Sequence, residues 1–221
     1  PPLGIDQDEL EEAIAFLEWL TQDSFTFIGY REYDLVEQGG EDTLRPVPGS
    51  GLGVLRQSAD EKISKSFAIL PPAVRAKARE KTVLVLSKAN SRSTVHRTAY
   101  LDYIGVKKFD SQGNVVGERR FLGLFAARAY SDRVTDIPVL RAKYQKVERS
   151  LDYVTGSHSS KDLEEFLDTY PRDELFQMDV EHLNQIAKSV LQLQERRQTK
   201  LYIRYDPYER FVSALVYFPR D

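Results

Sequence analysis

Two long segments rich in β-branched and aromatic residues, joined by a short turn, constrain this chain most. They read "RTAYLDYIGVKKF" at 97–109 and "GERRFLGLFAARAY" at 117–130, and "DSQGN" stands between them at 110–114. Such residues favour strands, and the glycine suits a turn that needs a positive φ. With the similar segment "TVLVLSKA" at 82–89, they predict a long-stranded antiparallel sheet within the first 130 residues.

Helical patterns flank these strands. Leu10, Ala13 and Leu17 recur at helical spacing and predict an amphipathic helix at 7–21. "SFTFIGYREYDLV" at 24–36 predicts another strand, and "PPAVRAKAREK" at 71–81 predicts a helix that proline opens. The fold class that follows is α+β: an antiparallel sheet with flanking helices.

The second part of the chain has a different composition. "SDRVTDIP" at 131–138 interrupts the sheet pattern, and three helical stretches follow, the last of them capped by Asp179. The end of the chain, 199–218, alternates around an Asp-Pro turn and predicts a β-hairpin. We therefore expect three parts, bounded at 1–132, 133–198 and 199–221.

Composition excludes several classes of function. The formal net charge is −3, so no global field draws the chain to nucleic acid or to anionic lipid. The longest apolar runs, such as "FLGLFAA" at 121–127, are far too short to span a membrane. With no cysteine, the chain forms no disulfide and offers no thiolate ligand or nucleophile. Neither a nucleic-acid partner nor a membrane partner is expected.

The glycine-rich stretch "GSGLG" at 49–53 is the nearest approach to a cofactor motif. A dinucleotide site needs a strand before the glycines and a helix directly after them. Here Pro46 and Pro48 precede the glycines, and "LGVLR" at 52–56 is a short strand candidate, so a turn is predicted instead. His96, His158 and His182 are scattered, and no metal site or cofactor site is predicted.

A basic cluster remains as the candidate binding site. "SKANSRSTVHRTAYLDYIG" at 87–105 combines cations with hydroxyls, and more arginines follow on the next strand. Guanidinium groups bind carboxylates through two parallel hydrogen bonds, so pairing of these strands in one sheet would bring the cations to an acidic effector. The candidate effector-binding residues are Lys88, Arg92, His96, Arg97, Arg119 and Arg120.

Two other interpretations of this cluster stay open. The cations could cover an exposed sheet face and pair with Asp102 or Glu118. A hydrolase triad of Ser93, His96 and Asp102 would lie on one short segment, whereas such triads are assembled from distant parts of a chain. No catalytic residue is therefore predicted.

Seven segments, in this order, resemble the N-terminal region of the large NAD-specific glutamate dehydrogenases of bacteria. The resemblance covers the chain from about Phe25 to Asp221, and the order of the segments makes it specific. The segments are "FTFIGYREYDL", "GSGLGVLR", "SKANSRSTVHRTAYLDYIGVKKFD", "GERRFLGLF", "TYPRDELFQ", "LQERRQ" and "YIRYDPYERFVSALVYFPRD".

The resemblance implies a part of a long, cytoplasmic, oligomeric enzyme that converts L-glutamate to 2-oxoglutarate and ammonia with NAD. In that family the catalytic domain lies far towards the C-terminus, and the N-terminal part contains modules similar to PAS and ACT domains. Accordingly, 1–132 is expected to be PAS-like, 133–198 a helical connection, and 199–221 the first hairpin of an ACT-like module. The chain's opening "PPLG", without an initiating Met, also leads us to expect a piece of a longer protein.

The resemblance also sets the expected partners. They are the remaining domains of the parent protein, further copies of it, and an amino acid or other small effector. NAD is the cofactor of the parent enzyme, and none is expected in this segment. The alternative is a stand-alone enzyme or binding protein that holds an anionic metabolite with the cluster at 88–120.

Overall fold

The computed structural model describes residues 2, 4–38, 41–56, 77–193, 198–207 and 211–218. The predicted helix at 71–81 lies partly outside these ranges. The chain divides into two compact units, Pro1–Ala126 and Ala127–Asp221, which we call unit 1 and unit 2. None of the helices in the described ranges is long and apolar enough to cross a membrane.

Unit 1 is built on one antiparallel sheet. Its strands run in the order β2-β1-β6-β5-β4, and β3 pairs with β1 beside β2. The elements are α1 (Gln7–Trp19), a π-helical turn (Leu20–Ser24), β1 (Phe25–Gln38), β2 (Glu41–Pro46), β3 (Leu52–Gly53), β4 (Leu84–Arg92), β5 (Tyr100–Phe109) and β6 (Val115–Phe125). The predicted α+β class with an antiparallel sheet is confirmed.

Helix α1 forms where the periodic pattern predicts a helix. Asp6 caps it by accepting a hydrogen bond from the backbone N–H of Asp8 at 3.1 Å. The helix buries Ala13, Phe16 and Trp19, and the Trp19 ring lies 6.3 Å from the ring of Phe125. This apolar stripe holds α1 against the sheet.

The turn between β5 and β6 fixes the register of these two paired strands. The Asp110 carboxylate accepts hydrogen bonds from the backbone N–H groups of Gln112 and Asn114, at 2.9 and 2.8 Å. Gly113 adopts a φ of 76°, the left-handed conformation that glycine takes at no steric cost. The β5–β6 pairing that the sequence predicts is therefore present, from Asp102–Gly123 to Phe109–Val115.

Strand β3 is shorter than the candidate at 52–56. After Gly53 the chain turns back, because the N–H of Leu55 bonds to the carbonyl of Leu52 and the N–H of Arg56 to that of Gly53. Gly53 itself lies so close to β1 that a Cβ atom would stand 2.0 Å from the carbonyl oxygen of Ile28. The glycine-rich stretch is thus a turn beside β1, as predicted, and only two residues pair.

The two faces of the sheet carry different residues, because successive residues of a strand point to opposite sides. Residues directly opposite one another on paired strands share a face. What we call the Arg120 face carries Arg31, Tyr33, Tyr103, Gly105, Lys107, Glu118 and Arg120. The Arg119 face carries Tyr30, Glu32, Asp34, Lys88, Asp102, Lys108 and Arg119.

Unit 2 is helical and ends in a hairpin. Asp179 caps α6 by accepting from the backbone N–H of His182 at 2.7 Å, as the sequence predicts, and Ser157 caps α4 in the same way. The elements are α2 (Ala127–Ser131), α3 (Leu140–Ser150), α4 (His158–Thr169), α5 (Arg172–Gln177), α6 (Val180–Leu191), β7 (Lys200–Tyr205) and β8 (Val212–Tyr217). The predicted helical segment and C-terminal hairpin are confirmed.

The hairpin of β7 and β8 has one covered face and one exposed face. On the covered face, the Tyr202 hydroxyl donates to Ser189 Oγ of α6 at 3.0 Å, and the Tyr217 ring packs 6.2 Å from that of Phe166 in α4. The exposed face is apolar and consists of Leu201, Ile203, Tyr205, Val212, Val216 and Phe218.

Candidate functional site

Arg120 lies at the centre of a buried polar cluster on the Arg120 face. Its guanidinium carbon stands 4.1 Å from the centre of the Tyr33 ring and 4.9 Å from that of Tyr103. Its Nε donates to the Tyr103 hydroxyl at 3.2 Å and to Glu118 Oε1 at 3.1 Å. The Tyr103 hydroxyl also bonds to Glu118, so the three side chains form one network.

The network keeps Arg120 charged. Burial by itself lowers the pKa of the guanidinium, but the interactions with Tyr103, Glu118 and Tyr33 outweigh burial and raise the pKa above its ordinary value. A planar cation between two aromatic rings is also stabilised by their negative faces. The result is a fixed positive charge inside the sheet.

Gly105 gives this network its space. It is the residue of β5 that lies directly opposite Arg120. A Cβ atom at this position would stand 2.9 Å from the Glu118 carboxylate and 3.2 Å from the Tyr103 ring. A larger residue would therefore displace the groups that bind Arg120.

Arg31 is a second arginine on this face, and the sequence reasoning missed it. It lies on β1, directly opposite Arg120 on β6. Its Nε is buried and has no hydrogen-bond partner within the described part of the chain. The signal that could have found Arg31 is its alternation with Gly29 and Tyr33 in the β1 pattern.

Lys107 is the third cation of the Arg120 face, but backbone carbonyl groups accept its hydrogen bonds. Its Nζ donates to the carbonyl oxygens of Lys77 at 2.7 Å and Glu80 at 2.6 Å. Burial lowers the pKa of this amine, while Glu80, Glu118 and Glu9 act in the opposite direction. Lys107 therefore ties the chain at 77–80 to the Arg120 face.

The part of the Arg119 face around Arg119 and Glu32 has the character of a solvated surface. The side chain of Arg119 is 52% exposed and lies 3.7 Å from Glu32, which also receives the Tyr30 hydroxyl at 2.8 Å. Lys108 donates to Asp34 at 3.0 Å. The hydrogen bond from Tyr30 holds the pKa of Glu32 below its usual value, so Glu32 stays ionised beside the cations.

The other predicted residues lie away from the Arg120 cluster. Lys88, on the Arg119 face, forms an ion pair with Asp102. The Arg97 Nη2 donates to the carbonyl of Phe125 at 3.0 Å, and the guanidinium carbon of Arg92 lies 4.7 Å from the Tyr100 ring centre. His96 is exposed in the loop after β4, with a φ of 69°.

The strands of the predicted cluster do pair in one sheet, but the cations on them do not lie together. Arg119 and Arg120 are consecutive and point to opposite faces, so one ligand cannot reach both from the same side. Effector binding by the six residues stays a prediction, which the geometry narrows to Arg120 and its neighbours. Over the ranges that the structure describes, no group of three or more His, Asp or Glu side chains is placed to hold a metal ion.

Fold and site define the class of the molecule as a mixed α+β protein: a sheet unit with a charged interior, followed by a helical unit with a hairpin. Two family models match the second part of the chain. Residues 137–196 match the glutamate dehydrogenase helical motif 1, and residues 200–221 match the glutamate dehydrogenase ACT2 domain. The second match begins where β7 begins.

Relatives match the chain over its whole length. The NAD-specific glutamate dehydrogenase of Halomonas elongata is 39% identical over all of this chain, and that of Pseudomonas aeruginosa is 36% identical over 99% of it. The protein of the same name from Mycobacterium tuberculosis is 31% identical over 93% of the chain. The chain spans only 14%, 14% and 12% of the lengths of these three relatives.

The resemblance that the sequence segments indicate is therefore confirmed: this chain corresponds to one segment of the large NAD-specific glutamate dehydrogenases.

Proposed function

We propose that this chain is a non-catalytic regulatory and assembly segment of an NAD-dependent glutamate dehydrogenase. The observation that carries the proposal is the match of the entire chain to 14% of relatives that bear this name. The match of residues 200–221 to an ACT2 domain supports a regulatory role. The parent enzyme would convert L-glutamate, NAD and water to 2-oxoglutarate, ammonia and NADH.

The proposal extends to the parts of the chain and to its surroundings. Residues 1–132 serve as a PAS-like module, 133–198 as a helical connection, and 199–221 as the first hairpin of an ACT-like module. NAD acts in the parent enzyme, in another domain. The parent is a cytoplasmic homo-oligomer, and the partners of this segment are the other domains, further copies and a small effector.

The exposed face of the hairpin supports the assembly role. Its six large apolar side chains, from Leu201 to Phe218, would cost free energy in water in proportion to their area. Contiguous apolar patches of this kind mark interaction sites. We assign this face to contacts within the parent assembly.

A stand-alone enzyme built on the cluster at 88–120 is not favoured. Lys88 is engaged by Asp102, and Arg97 by a backbone carbonyl, so neither stands ready for a substrate. His96 lies in the exposed loop, and no acid–base pair with it is seen among the described residues.

A direct test uses the purified 221-residue chain. We expect no glutamate-dependent formation of NADH and no NAD binding by calorimetry, whereas the full-length parent shows both. NADH formation that survives repurification and scales with the concentration of the chain would contradict the proposal.

A further inference from the structure

Two arginines lie directly opposite each other on neighbouring strands of unit 1. Arg31 of β1 is paired in register with Arg120 of β6. Side chains in such positions are about 5 Å apart at Cβ, and like charges there destabilise the sheet. A negative charge beside this pair would offset the repulsion.

The described part of the chain supplies that charge to Arg120 but not to Arg31. Glu118 is engaged by Arg120 and Tyr103. Lys107 attracts Glu80 and Glu9 and is bonded to two backbone carbonyls. The Nε of Arg31 remains buried without a hydrogen-bond partner among the described residues. A buried donor left in this state loses its hydrogen bond to water without a replacement, which is unfavourable.

We infer that Arg31 and Arg120 form a binding site for a small organic carboxylate on the Arg120 face. Arg31 is the direct contact, because its Nε and the adjacent Nη present the parallel donors that a carboxylate accepts. Arg120 adds a second positive charge, which Glu118 and the two tyrosine rings hold in position.

The surroundings select a carboxylate over an inorganic anion. Tyr33, Tyr103 and Leu122 share the Arg120 face and are buried, so a carbon skeleton that entered beside them would pack against apolar and aromatic side chains. Phosphate carries more oxygens than one guanidinium fork can satisfy, and each unsatisfied oxygen is costly away from water. An organic acid can place one carboxylate at the fork and keep its other polar groups in water, which the compact phosphate ion cannot do.

This inference rests on the proposed regulatory function, since it names the effector class and the site. Its test is calorimetric titration of the 221-residue chain with 2-oxoglutarate, L-glutamate and inorganic phosphate, at constant ionic strength. We expect a carboxylate to bind and Arg31→Leu to weaken its binding roughly tenfold or more, the loss of a charge-assisted bidentate contact. Arg31→Lys should recover part of the affinity.

The matched control is Arg119→Leu, which removes the same charge from the opposite face at the adjacent position. The dissociation constant of this variant for the carboxylate should stay within about twofold of that of the unsubstituted chain, because the substitution changes only a screened surface charge. Equal losses in both variants, or the absence of binding by both carboxylates, would overturn the site. Tighter binding of phosphate than of either carboxylate would overturn the ligand class.

Folding and binding are measured by separate signals. Trp19 is the only tryptophan of the chain and is buried in unit 1, so its fluorescence on heating shows whether each variant is folded. Binding is measured as heat from the chain alone. Binding without any effect on the parent enzyme would contradict the proposed function and leave the site intact, whereas effector regulation without binding to Arg31 would contradict the site alone.

Discussion

Units 1 and 2 both enclose cations, but the two units differ in the hydrogen-bond acceptors that surround these cations. In unit 2, Lys143 donates to the carbonyl oxygens of Leu175, Phe176 and Met178 at 2.7, 2.9 and 2.7 Å. These carbonyls belong to the end of α5, where a cation is favoured by the helix dipole. In unit 1, by contrast, Arg31 lies opposite another arginine, and its Nε has no acceptor among the described residues.

Two arginines of unit 2 also differ from Arg31, because each of them is paired with a carboxylate. Arg204 binds Glu174 through two parallel hydrogen bonds of 2.7 and 2.9 Å. Arg172 leaves two nitrogens without hydrogen bonds, yet its charge is paired with Asp168 at 3.5 Å and its Nη2 donates to the carbonyl of Asp132. A paired cation fixes the structure around it, and an unpaired one is available to a ligand.

The largest effect is expected from Arg120→Leu. The substitution leaves the Glu118 carboxylate buried without its cation, and removing one partner of a buried pair costs about 3–5 kcal/mol. Thermal or urea unfolding followed by Trp19 fluorescence reports the loss in unit 1. Arg119→Leu serves as the control and should change the free energy of unfolding by less than about 0.5 kcal/mol. Similar losses in both variants would show that the Arg120 network is not structural.

The fold could be predicted further from the sequence than the site could. The long β5–β6 hairpin is set by local pattern and by the Asp110–Asn114 turn, so its strands are readable from neighbouring residues. Even the division of Arg119 from Arg120 follows from strand alternation alone. The opposition of Arg31 and Arg120 depends on the pairing of strands 89 positions apart, which no local pattern specifies.

A second effect concerns the pH dependence of unit 2. Burial lowers the pKa of Lys143 to about 7, whereas an unfolded lysine titrates near 10.4. Between these values the unfolded state binds more protons, so the free energy of unfolding should rise with pH by at most about 1.4 kcal/mol per pH unit. Lys143→Leu should remove this slope.

The measurement is urea unfolding from pH 7 to pH 9.5, read from the methyl NMR signal of Met178, the only methionine of the chain. The upper limit avoids the tyrosines. Burial raises the pKa of Tyr217 to about 12, so ionisation in the unfolded state lowers stability above pH 10. The same slope in Lys143→Leu as in the unsubstituted chain would assign the pH dependence to other groups.

A third effect concerns the apolar face of the hairpin. Ile203→Lys should change the free energy of unfolding of unit 2 by less than about 0.5 kcal/mol, since the side chain is 47% exposed. It should nevertheless reduce self-association of the isolated chain in light scattering at high concentration, because that face lacks its partner there. The matched control is Lys200→Gln on the adjacent, covered face. Unchanged association in Ile203→Lys would contradict an interaction role for this face.

The stability of Arg31→Leu with and without ligand tests the central claim most directly. We measure the melting temperature of unit 1 from Trp19 fluorescence in Arg31→Leu, with and without 2-oxoglutarate or L-glutamate. Without ligand the variant should be more stable than the unsubstituted chain by about 0.2–1 kcal/mol, because the repulsion by Arg120 is removed. With ligand near the Kd of the unsubstituted chain, that chain should gain clearly more stability than the variant. A variant that is less stable without ligand, or that gains as much stability from the carboxylate as the unsubstituted chain, would show that Arg31 is a structural residue and contradict the account.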